Sequence, residues 1–133
     1  MKKSLEVPVF NEMMCELFQA MRELGGSGTI REIDDKTIEI LGLPAEVQEI
    51  MHGNSSKTEV EYRLAWTRTY MKKVGILENS SRGVWSLTAK GREMEQIDPK
   101  EVVQKVREMT LLKTKGVSPV NDYSIDEAWF LSI

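Results

Sequence analysis

The stretch "EYRLAWTRTYMKKVGILENSSRGVWSLTAKG", residues 61–91, passes from helical to strand periodicity across a single glycine. A hairpin fed directly by a helix can pack onto that helix in few ways, so this switch constrains the fold more than any other feature. Upstream, Ser56 and Glu59 stand at capping-box spacing, which predicts a helix that begins near Lys57 and ends before Gly75. Downstream, Ile76–Asn79 and Gly83–Leu87 are β-prone runs around a Ser-Ser-Arg turn, a hairpin signal, and "TAKG" leads out of it.

Three helical pieces precede this pair. Phe10, Met14, Leu17, Phe18, Met21 and Leu24 make an apolar stripe that predicts a helix over about 8–24, closed by Gly25 or Gly26. Thr29 and Glu32 open a second, with Ile30, Ile33, Ile38 and Leu41 on its buried side and Gly42 at its end. Pro44 and Gly53 bracket a short third. After the hairpin, Asp98 caps a further helix with Pro99 first, Glu101 completing the box, and Val102, Val106 and Met109 on one face. The remainder starts loop-like and ends in a short helix opened by Ser124 and Glu127 that carries Trp129, Phe130 and Ile133. The order of elements is that of a winged helix-turn-helix: mostly α with a small β-hairpin, plus an extra C-terminal helix. The expected division is a winged-helix domain over 1–97 and a C-terminal helix and tail over 98–133, used for packing or oligomerisation.

Several chemistries are excluded by what is missing. One cysteine, Cys15, expected as a small, partly buried thiol, permits no internal disulfide, and with one histidine, His52, it builds no four-ligand zinc site. No metal and no cofactor is expected. "GGSG" at 25–28 lacks a preceding strand and a following Gly-Lys-Ser/Thr, so it is not a phosphate loop. Asp34-Asp35-Lys36 lies inside a predicted helix, without the strand pair and upstream acid of a metal-dependent nuclease, so no catalytic residues are expected. No stretch approaches the roughly 18 apolar residues of a membrane span, and the N-terminus lacks a signal-peptide apolar run. A cytoplasmic chain with no membrane partner is the expectation.

Charge is segregated along the chain. Between Lys57 and Arg92 eight basic side chains face three acidic ones, a net of +5, while the rest carries −8 and the whole −3. Screening at cellular salt acts over roughly 8 Å, so the acidic remainder leaves the basic segment able to meet a polyanion. Winding residues 57–74 at about 100° each puts Val60, Leu64, Thr67, Met71 and Val74 inward. Thr58, Glu61, Tyr62, Ala65, Arg68, Thr69 and Lys72 fall outward, with Arg63, Trp66 and Tyr70 on the flank. Small and basic groups suit a helix that enters a DNA groove. The expected contacts to double-stranded DNA are therefore Lys57, Thr58, Tyr62, Arg68, Thr69, Lys72 and Lys73, with Arg82 from the hairpin tip. Trp66 and Trp85 are expected in the core, and His52 in a plain loop.

The residues of "LGGSGTIREI" and of the opening stretch resemble the N-terminal domain of Mrr-type restriction systems over about residues 8–95. The matching positions are Arg63, Trp66, Thr67, Arg68, Tyr70, Met71, Lys72, Gly75, Ile76, Leu77, Arg82, Gly83, Val84, Trp85, Leu87, Thr88 and Gly91. The resemblance implies a winged-helix DNA-binding module that in the family's nucleases precedes a PD-(D/E)xK catalytic domain and acts against modified foreign DNA. Residues 96–133 are too few for such a domain, so the expected function is a non-catalytic binder that works with a separate nuclease subunit or as a repressor-like regulator. A different class remains open, a protein-interaction or oligomerisation module on the same scaffold, with a homodimer formed through the C-terminal helix.

Overall fold

The computed structural model describes residues 6–113, with side chains to residue 111. Its chain enters through a 3₁₀ segment, Phe10–Met13, and continues as α1, Met14–Glu23. The single helix expected over 8–24 is thus tightened in its first turn, a common behaviour of helix termini. Met13, Met14, Leu17, Phe18 and Met21 are buried along it, whereas Cys15, expected to be partly buried, is exposed. The glycines close a Schellman motif. The Gly26 N–H donates to the Met21 carbonyl at 2.7 Å and the Gly25 N–H to the Arg22 carbonyl at 3.1 Å, with both glycines at positive φ.

Two boundaries differ from expectation for reasons that lie far away in sequence. Ser27–Thr29 forms β1, which pairs antiparallel with β3, Val84–Leu87; β3 also pairs with β2, Leu77–Ser81. The sheet is therefore three-stranded, in the order β1-β3-β2, rather than a two-stranded hairpin. A Ser-Gly-Thr tripeptide has no strand periodicity of its own, and its pairing is imposed by β3. The hairpin reverses at Arg82-Gly83 instead of Ser-Ser-Arg. Ser80 bulges out between the pairs Asn79–Trp85 and Ser81–Val84, and Gly83 takes φ 75°.

The remaining helices follow their caps. α2, Ile30–Leu41, starts on the expected Thr29–Glu32 box and stops at Gly42, with φ 65°. α3 is one turn, Ala45–Gln48. α4, Glu59–Lys73, starts on a Thr58–Glu61 box, so the expected Ser56–Glu59 box is corrected by two residues. The Glu59 carboxylate is engaged elsewhere, by His52 and Arg63. The "TAKG" exit forms a short helix, α5, Ala89–Glu93, capped by Thr88. α6, Pro99–Lys113, has Pro99 in its first turn and the Asp98 Oδ1 accepting the Lys100 N–H at 3.1 Å.

α4 runs through the centre, packed by α1, the 3₁₀ segment, the sheet and α6. Trp66 and Trp85 are both buried in one core, as expected. Val102 and Val106 of α6 join that core. The Val102–Val106 stripe therefore packs on its own domain, while Met109 is exposed. The expected loop from 114 and the helix of Trp129 and Phe130 lie outside the described residues. Among the described residues no helix is long and apolar enough to cross a membrane, and no group of three His, Cys, Asp or Glu is placed to hold a metal ion.

Candidate nucleic-acid interface

The residues expected to contact DNA divide into two sets. Arg68 and Thr69 are only 4 % and 1 % exposed, and Ala65 beside them is also buried. Their expected outward placement is corrected. Every residue of α4 from Leu64 to Met71 is buried, and on the face that winding alone assigns to solvent Arg68 reaches Asp34 of α2 and the Trp85 ring of β3. Polar groups tolerate this through internal bonds. The Thr69 hydroxyl donates to the Ala65 carbonyl at 3.0 Å, and the Thr67 hydroxyl to the Phe10 carbonyl at 2.7 Å.

Arg68 is held by a residue 34 positions earlier. Its Nη1 donates to Asp34 Oδ1 of α2 at 2.5 Å, and its guanidinium lies 5.7 Å from the centre of the Trp85 ring. Burial pushes the Asp34 carboxyl up to about 6, although the Arg68 charge and hydrogen bond pull it back. At neutral pH the pair is an ionised salt bridge inside the domain. Asp34 thus has a structural partner of its own.

The second set stays accessible at the ends of α4 and at the hairpin. Lys57 is exposed in the loop before α4, and Thr58 is the N-cap, its hydroxyl accepting the Glu61 N–H at 3.2 Å. Tyr62 is half-buried and stacked on His52, with centroids 3.6 Å apart and planes 10° from parallel. His52 is consequently no plain loop residue. Its Nδ1 lies 2.8 Å from Glu59 Oε1, and Arg63 Nε donates to Glu59 Oε2 at 2.6 Å. Arg63 Nη1 also donates to the Val7 carbonyl at 2.8 Å, which ties the N-terminal segment to α4. This knot fixes the Tyr62 ring at the edge of the first turn. Lys72 and Lys73 are half-buried in the last turn, the Lys72 ammonium 6.0 Å from the Trp85 ring. Arg82 is exposed at the hairpin tip.

One basic residue was missed. Arg31 is exposed in the first turn of α2, and the Ile30 N–H donates to the Gly83 carbonyl at 3.1 Å, so the hairpin tip rests on the start of α2. That backbone contact joins the chain neighbours of Arg31 and Arg82, which no local pattern announces. Along the basic segment Arg63 is paired to Glu59 and Arg68 to Asp34, Lys90 donates to the Val74 carbonyl at 2.8 Å, and Lys57, Arg82 and Arg92 are exposed.

The protein-family model described as the Mrr N-terminal domain matches residues 10–96, from the 3₁₀ segment to just short of α6. No curated protein and no solved structure matches the chain.

Proposed function

Because this chain belongs to the Mrr N-terminal domain family, we propose that it is a non-catalytic winged-helix binder of double-stranded DNA, acting in the cytoplasm with a separate nuclease subunit or as a regulator. The observation that carries the reading is the set of accessible basic side chains left once both internal ion pairs are set aside: Lys57 before α4, Arg82 at the hairpin tip and Arg31 in the first turn of α2. The buried middle of α4 alters the docking mode. The helix approaches the major groove with its first turn, so Lys57, Thr58 and Tyr62 are the groove contacts, and the hairpin acts as a wing whose Arg82 meets phosphate. Lys72 and Lys73 serve as more distant phosphate contacts, while Arg68 and Thr69 leave the interface. A homodimer on DNA would have to form through a surface other than Val102–Val106.

Neutralising about three to four phosphates predicts that log K falls with log salt at a slope of roughly −3 to −4. An anisotropy titration on methylated and unmethylated duplexes measures this. Absence of binding at low salt, or a flat salt response, removes the proposal. A second reading, a protein-docking module, is favoured by Ile50 and Met51, which are exposed in the connection that follows α3. Because Met51 bridges to Thr58, the discriminating change is uncharged: serine at both positions keeps DNA affinity within about twofold under the first reading and abolishes partner capture under the second.

A further inference from the structure

Three elements meet at Arg68. It belongs to α4, its Nη1 binds Asp34 of α2, and its guanidinium lies 5.7 Å from the centre of the Trp85 ring in β3. Trp85 is three residues from Arg82, along the strand that leaves the hairpin turn. The turn itself is held where the Ile30 N–H meets the Gly83 carbonyl, one helical turn before Asp34. The sheet is thus pinned to the two helices at its tip and, through Arg68, at its inner face.

We propose that Asp34, Arg68 and Trp85 form a bracket that sets the tilt of the wing over α4, making Asp34 and Arg68 positioning residues for the DNA contact made by Arg82; this rests on the DNA-binding reading above. A buried ion pair gives little net stability, and an apolar pair of similar volume commonly holds a core as well or better. This bracket is weaker still as a stabiliser, because Arg68 Nε and Trp85 Nε1 are buried without a hydrogen-bond partner among the described residues. What it supplies is direction. A planar guanidinium fixed at one edge by a carboxylate and lying near an indole permits one relative placement of α2, α4 and β3, whereas aliphatic side chains permit several.

The test replaces the bracket by a combined Asp34→Leu and Arg68→Met change in the full chain, then measures Arg82→Ala and Lys57→Ala on both backgrounds. The expected melting temperature of the swapped chain is equal to or above that of the parent. In the parent, Arg82→Ala weakens duplex binding about tenfold. On the swapped background it costs less than about twofold, while the Lys57→Ala loss is the same on both. A merely structural bracket would scale both losses alike, and an undiminished Arg82 effect in the folded swap overturns the proposal. Should the swap fail to fold, Arg68→Lys keeps the charge beside Asp34 and removes the planar group. An unchanged Arg82 effect there is equally fatal. Amide exchange at Ile30 separates the bracket from the DNA-binding reading. Exchange at least about tenfold faster in the variant supports the bracket even if the parent binds no duplex, and unchanged exchange overturns it.

Discussion

Asp34 and Glu59 are carboxylates of similar chemistry, each held by an arginine, and their pKa values move in opposite directions. For Asp34 burial dominates and lifts the carboxyl from its ordinary 3.8 to about 6 against the pull of Arg68. For Glu59 burial also pushes upward, but the hydrogen bonds from His52 and Arg63 outweigh it and hold the group below its ordinary range. The linkage signs follow. Between about pH 4 and 6 the native state keeps a proton on Asp34 that the unfolded chain has released. The stability associated with Asp34 is therefore fully present below 3.8 and lost as pH rises through about 6. Glu59 contributes above its unfolded value and loses that contribution as pH falls through its lowered one. Denaturant unfolding of the parent and Asp34→Asn at pH 4 and pH 7 checks the first sign. The parent's advantage over the variant should shrink on going to pH 7, by about 2 kcal/mol, and an advantage that grows would contradict the assignment. A second residue-scale expectation concerns Gly91, where an added Cβ would collide with the Ile76 carbonyl oxygen in the backbone of the strand entry. Because backbone cannot rotate away as a side chain can, Gly91→Ala should cost about 1–3 kcal/mol, read as a lower denaturant midpoint at unchanged slope.

At the scale of elements, α4 separates what local sequence reveals from what it hides. Its ends were legible. A threonine box opens it, although at Thr58 rather than Ser56, and Gly75 closes it through the Ile76 N–H to Met71 carbonyl bond at 2.9 Å. Its faces were not, because helical periodicity assumes one buried side, and this helix is enclosed by α1, the sheet and α6. Thr69 reads as outward, yet it hides its hydroxyl on the Ala65 carbonyl just as the inward-reading Thr67 does on the Arg63 carbonyl, and Arg68 is neutralised by a carboxylate that no short window contains. β1 escaped notice for the same reason, its pairing being supplied by β3. The positions carrying the family resemblance are largely scaffold: Trp66, Arg68, Tyr70 and Trp85 are core, Gly75 is a helix stop, and Gly91 is a close approach. The resulting prediction distinguishes neighbours on one helix. Arg68→Ala strands the Asp34 carboxylate in the interior and should cost about 3–5 kcal/mol of stability. Lys57→Ala and Arg82→Ala should leave the melting temperature within measurement error and weaken DNA binding about tenfold each. Equal stability losses at all three positions would place Arg68 on the surface and refute the corrected face.

For the whole molecule, the question is whether α6 is a separate unit after residue 97 or part of the domain. The match to the family ends at residue 96, which invites a boundary there, but Val102 and Val106 lie in the same core as Leu64, Trp66 and Met71. α6 also packs against both α4 and the 3₁₀ segment at the other end of the chain, so its removal would uncover the middle of the central helix. A helix of 15 residues has little stability alone, since nucleation is costly and packing supplies most of what holds it. α6 should therefore melt with the rest. Thermal unfolding followed by tryptophan fluorescence, which reads the core around Trp66 and Trp85, should coincide with far-ultraviolet dichroism, which weights all helices. Val106→Ala should shift both curves together, by about 1–3 kcal/mol in stability, because the lost methyl groups come from the shared core. If dichroism instead showed an early transition, with fluorescence unmoved by Val106→Ala, the division at residue 97 would be a physical one and α6 an appended arm.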